Sequence, residues 1–108
     1  MTFQEILNKL LDNKIDIVMG KGDDGFIWYN LSTMMKSDLL ISEQNGKFLY
    51  KARYHKHGEF ETYEELLRLA VDCMHGRDFA NHNWITLLVS EGCLHGGYLH
   101  NHTRSHNF

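Results

Sequence analysis

The chain has 108 residues, of which 43% are hydrophobic and 23% charged, a globular balance that excludes wholesale disorder. That length holds one core and is too short for two. A formal charge of −3 argues against a general binder of nucleic acid or of acidic membranes.

The N-terminus, Met1-Thr2-Phe3-Gln4-Glu5, has no basic stretch ahead of an apolar one, so no secretion signal is expected and the cytoplasm is the expected location. Thr2-Phe3-Gln4-Glu5 has capping-box spacing. Phe3, Ile6, Leu7, Leu10 and Leu11 then recur at helical spacing, which predicts a helix over residues 3–13 ended by Asn13. Ile15, Ile17 and Met19 alternate with Asp16 and Val18, as in a strand. Gly20-Lys21-Gly22-Asp23-Asp24-Gly25 matches a dinucleotide-binding string, but two aspartates would repel a phosphate and a strand, not a helix, is expected to follow. The expectation is a hairpin loop. The aromatic and β-branched run over residues 26–31 predicts the next strand. If Ile27, Tyr29 and Leu31 face the core, Phe26 and Trp28 face outward, and Trp28 becomes an exposed anchor for a protein partner.

Asn45-Gly46 is the strongest local signal, because both residues tolerate the positive φ of a type I′ turn. It fixes a hairpin of residues 38–44 and 47–54 in which Gln44 faces Lys47, Ile41 faces Tyr50, Leu39 faces Ala52 and Asp38 faces Arg53. Tyr50 and Tyr54 then lie on the face opposite Lys51 and Arg53, which weakens a base-and-aromatic stripe for nucleic acid. Thr62-Tyr63-Glu64-Glu65 is a second capping box, heading a helix over about 63–75 with Gly76 as its stop. Residues 84–90 suit either a buried helix or a strand. Asn83 as cap and Gly92 as stop favour the helix. The order is α-β-β-β-β-α-α: an α+β domain over residues 1–92, with a four-stranded antiparallel sheet, an N-terminal helix and two C-terminal helices. Residues 93–108 form a His-rich segment with no apolar period.

Cysteines number two and histidines eight, and Cys93, His95, His100, His102 and His106 crowd into that final segment. Thiolate and imidazole suit zinc, and the last pair has the H-x3-H spacing of finger-type sites. Such a metal would be structural, folding the segment back, since four protein ligands leave no open position. His55 and His57 offer a mixed alternative with Cys93 and His95. Cys73 reads as a core thiol. No nucleophile, base and orienting group can be named together, so no enzyme is expected.

The first five elements resemble the layout of double-stranded-RNA-binding domains, but Glu64 and Glu65 stand where that family carries lysines. In size, acidic balance and two-faced sheet the chain resembles small phage-encoded inhibitors, anti-CRISPR proteins among them. That resemblance implies a protein partner, a nucleic-acid-guided nuclease or other defence complex. Its cationic groove would attract Asp23, Asp24, Glu59, Glu61, Glu64 and Glu65. The alternatives are a metal-dependent nucleic-acid-binding domain and a regulatory domain that dimerises through an edge strand.

Overall fold

Thr2 caps the first helix as its spacing predicts. Its hydroxyl accepts from the Glu5 amide at 3.1 Å, and its own amide donates to Glu5 Oε1 at 2.9 Å. The computed structural model describes residues 1–31, 39–52, 56–74 and 82–94. The elements in chain order are α1 (Phe3–Asp12), β1 (Val18–Lys21), β2 (Ile27–Asn30), β3 (Leu39–Gln44), β4 (Lys47–Ala52), β5 (Lys56–Phe60), α2 (Tyr63–Met74) and α3 (His82–Ser90). Every strand pairs antiparallel with its neighbour in the chain, in the order β1-β2-β3-β4-β5.

The class is α+β with an antiparallel sheet, but five strands are described where four were expected. The extra strand is β5, whose Lys56-His57-Gly58-Glu59-Phe60 carries one large apolar residue and therefore no legible period. Pairing with β4 creates it. Tyr50 lies opposite Gly58 and its ring covers the bare glycine, with a would-be Cβ only 3.2 Å from the Tyr50 ring. Phe60 lies opposite Phe48, their ring centroids 5.5 Å apart. Phe48 in turn meets Phe3 of α1 at 5.4 Å, and Phe3 meets Tyr29 at 5.6 Å, so aromatic contacts tie α1 across the sheet.

The Asn45-Gly46 hairpin has the expected register, with Gln44 opposite Lys47, Ile41 opposite Tyr50 and Leu39 opposite Ala52. Asn45 and Gly46 both take positive φ, 53° and 79°. The Asp38–Arg53 pair lies outside the described residues, as do Tyr54, His55 and Gly76. Residues 84–90 are helical. Trp84, Ile85, Leu87 and Leu88 are buried, and the Trp84 indole donates to the Leu31 carbonyl at 2.9 Å. Asn83 is not the cap, because α3 begins at His82; its side chain donates instead to the Lys14 carbonyl at 3.1 Å. Thr62 accepts from the Glu65 amide, but the Glu65 carboxylate accepts from Glu61 rather than Thr62, so only half the second capping box forms.

One cluster gathers the buried faces of all three helices with Leu31, Leu39, Ile41 and Phe60, and Tyr29, Phe48, Tyr50 and Ala52 pack against it. These are the alternate residues of one sheet face. The other face, with Trp28, Leu40, Leu49, Lys51 and His57, carries no described helix. β1 begins three residues later than the apolar alternation suggested. Ile15 is buried and Ile17 packs on the core, whereas all four strand residues are exposed.

Candidate functional site

Strand direction decides what the topology brings together. The β1–β2 loop, the β3–β4 turn and the C-terminal end of β5 all lie at one end of the sheet, because successive strands alternate in direction. Asp23 and Asp24 occupy that loop, Glu59 and Glu61 flank the end of β5, and Glu64 and Glu65 sit in the first turn of α2 that follows. All six carboxylates singled out in the sequence are therefore at the same end, and all six residues are exposed. Two more join them. Glu43 lies one residue before the end of β3 there. Glu5 arrives with the start of α1, since Met1 lines a hollow of about 400 Å³ with Gly46, Lys47, Phe48, Glu59, Phe60 and Glu61. Strand alternation could have found Glu43. Glu5 was visible as a capping residue, but which end of the sheet receives α1 depends on packing.

The β1–β2 loop is held by one carboxylate. Asp24 accepts from the Phe26 amide at 2.9 Å, from the Trp28 indole at 3.0 Å and from Gln44 at 3.4 Å. The Phe26 amide does most to hold the Asp24 carboxyl below its ordinary range. Desolvation opposes it, and the indole, Gln44 and Lys51 act in the same direction as the amide, so the net effect is a lowering. Gln44 also donates to the Ser42 hydroxyl at 3.2 Å, which donates to the Ile27 carbonyl. Lys51 Nζ stands 4.2 Å from the Trp28 ring centre. The loop is thus a built turn and not a phosphate cradle, with β2 following it as expected.

Trp28 faces away from the helices as alternation requires, but it is not an exposed anchor. It is only 7% exposed. Gly22 makes this burial possible by lying against the indole, where a would-be Cβ would come within 2.7 Å of the ring. Ile27, expected in the core, is 41% exposed, and Phe26 is 37% exposed, so these two carry the apolar surface of the hairpin tip. Beside them, Trp28, Val18, Met19, Gly20, Leu40 and Lys51 contribute to an open cleft of about 390 Å³.

The acidic groups are not equally free. Glu59 pairs with Lys47 at 3.4 Å across β4 and β5, an exposed pair of small energetic weight. Asp24 keeps its charge while serving the turn. The Thr2 amide, and after it the Thr2 hydroxyl, holds Glu5 below the ordinary carboxylate range. Tyr63, at the start of α2, is 2% exposed, and its hydroxyl has no hydrogen-bond partner among the described residues. Burial pushes the phenol up to about 12, with the charges of Glu91, Cys93 and Glu64 acting in the same direction.

Cys93 returns to this end of the molecule, half-buried, its amide donating to the Leu88 carbonyl at 2.8 Å. Cys73 is buried in the core. His95, His100, His102 and His106 lie outside the described residues, and among the described residues no group of three or more His, Cys, Asp or Glu side chains is placed to hold a metal. Of the mixed set, His55 and His95 lie outside the described residues, and the other two are not brought together, because His57 lies opposite Lys51 on the face without a described helix while Cys93 packs against the core on the other. Tyr50 likewise packs beneath the sheet and Lys51 above it, so these two do not form a stacking stripe. No described helix is long and apolar enough to cross a membrane. Comparison with family models, curated proteins and solved structures finds no match for this chain.

Proposed function

We propose that the chain is a small non-enzymatic inhibitor that occupies the cationic surface of a protein partner with the acidic end of its sheet. The observation that carries this reading is the convergence there of Glu5, Asp23, Asp24, Glu43, Glu59, Glu61, Glu64 and Glu65, against the described lysines Lys21, Lys47 and Lys9, the last with its Nζ 4.7 Å from the Tyr63 ring centre at the start of α2. Phe26 and Ile27 stand at the same end and supply apolar contact. Carboxylates spread over a rigid scaffold complement a groove built to hold phosphates, which favours a nucleic-acid-guided nuclease of the kind that anti-CRISPR proteins block. Zinc held by Cys93 with His95, His100, His102 and His106 would act structurally, fastening the last segment near the start of α2.

Purified nucleic-acid-guided nucleases provide the test. Wild-type chain should suppress target cleavage by one of them, with suppression weakening as salt rises. Reversing Asp23, Glu59 and Glu61 to lysine should abolish it while the melting temperature holds. Retention of the chain on immobilised nucleic acid, with a steep salt slope and no effect on any nuclease, would overturn the reading. For zinc, dialysed protein should keep one equivalent, and Cys93→Ser should lose both metal and thermal stability. Metal-free protein with an unchanged melt removes the ion from the proposal.

A further inference from the structure

The two edges of the sheet are defended differently. β5 carries Lys56, His57 and Glu59 along its five residues. β1 is Val18-Met19-Gly20-Lys21, with Val18 61% and Met19 66% exposed. An edge bearing exposed apolar side chains and one terminal lysine is poorly protected against pairing.

Hydrogen-bond parity shows what this edge offers. The Gly22 amide donates to the Phe26 carbonyl, and in the same register Gly20 faces Trp28 and Val18 faces Asn30. Bonded pairs recur at every second residue of an antiparallel ladder. Val18 and Gly20 therefore spend their backbone groups on β2, while those of Met19 and Lys21 point away from the sheet. The β2–β3 ladder agrees: the Leu31 amide bonds to Leu39, so the odd residues of β2 serve β3 and the even ones serve β1.

We propose that β1 pairs antiparallel with β1 of a second copy, about a two-fold axis at Met19. In that register Met19 faces Met19, Ile17 faces Lys21 and Val18 faces Gly20. The outward amides and carbonyls of Met19 and Lys21 then meet outward groups of the other chain. Val18 and Gly20 fall in a non-bonded pair, the closer of the two pair types. A Cβ on Gly20 would meet nothing within 4 Å, so the space above it is open on the face to which Val18 also belongs. Each Val18 thus fills the gap above the other copy's Gly20, twice by symmetry. No like charges are set opposite, because Lys21 meets Ile17 and Asp16 meets Gly22. The occupant is a second copy because the edge is complementary to itself in shape, hydrogen bonding and charge. Its short length implies weak, concentration-dependent association. The axis stands normal to the sheet, so both helical layers share one side and the two acidic ends point in opposite directions.

Sedimentation equilibrium on the full chain provides the test. The weight-average mass should rise from the 12.7 kDa of one chain towards twice that value between micromolar and millimolar protein. Met19→Pro removes only a donor that faces the second copy, and Met19→Lys sets like charges on the axis. Both should remain folded and hold the monomer mass throughout the range. Met19→Cys should oxidise to a disulfide-linked dimer joined at that position. A wild-type monomer at every concentration, or a dimer indifferent to both the proline and the lysine, would overturn the proposal.

Discussion

Gly22 and Gly20, two residues apart, make opposite predictions. At Gly22 a methyl group would meet the Trp28 ring at 2.7 and 2.9 Å and Asp24 at 3.0 Å. Gly22→Ala should therefore cost about 1–3 kcal/mol in urea unfolding and raise the exposure of Trp28 to a fluorescence quencher. Gly20→Ala meets nothing and should be neutral or add up to about 1 kcal/mol. Asp24 predicts an acid limb. Its carboxyl is held below the ordinary value, so its contribution is complete above the unfolded pKa of about 3.9 and is lost as pH falls through the lower folded value. Asp24→Asn should flatten the acid change in Trp28 fluorescence. Tyr63 behaves in the opposite sense. Its folded pKa of about 12 is raised, so its contribution is complete below the unfolded value and is lost as pH climbs from there to 12. Tyr63→Phe removes a hydroxyl with no described partner. It should leave neutral-pH stability unchanged or about 1 kcal/mol higher, and it should remove this residue's share of the alkaline loss in a pH-dependent melt.

The elements divide by whether their cause is local. α1, the Asn45-Gly46 hairpin and α2 were legible because caps, a two-residue turn and helical stripes act within a few residues. In α1, Phe3, Ile6, Leu7 and Leu10 are buried as the stripe requires, and only Leu11 escapes, 53% exposed. β5 was hidden because its strand character comes from Phe48 and Tyr50, eight to twelve residues earlier across the sheet. Alternation puts Trp28 on the correct face but says nothing of its burial, since no alternation rule reveals that Gly22 closes over the indole. α3 was ambiguous because its apolar residues cover most of its surface. Its helical state goes with packing that includes the Trp84 indole bond to Leu31. Trp84→Phe should lose that bond and part of a buried ring, lowering stability by about 2–4 kcal/mol in denaturant unfolding.

At the scale of the molecule, the acidic end could not be seen in sequence, where its carboxylates are spread from residue 5 to residue 65. Four successive reversals of direction gather them. The zinc reading was legible as ligand chemistry but not as geometry, because only Cys93 of its five residues is among those described. The sequential strand order has a further consequence. Since no strand is inserted between two that are remote in the chain, the sheet can fray from either margin one ribbon at a time. Backbone deuteration followed by NMR should find β3 the slowest to exchange and the Met19 and Lys21 amides among the fastest in dilute solution. Raising protein concentration should slow Met19 and Lys21 selectively, so that an otherwise unguarded margin becomes an interior one.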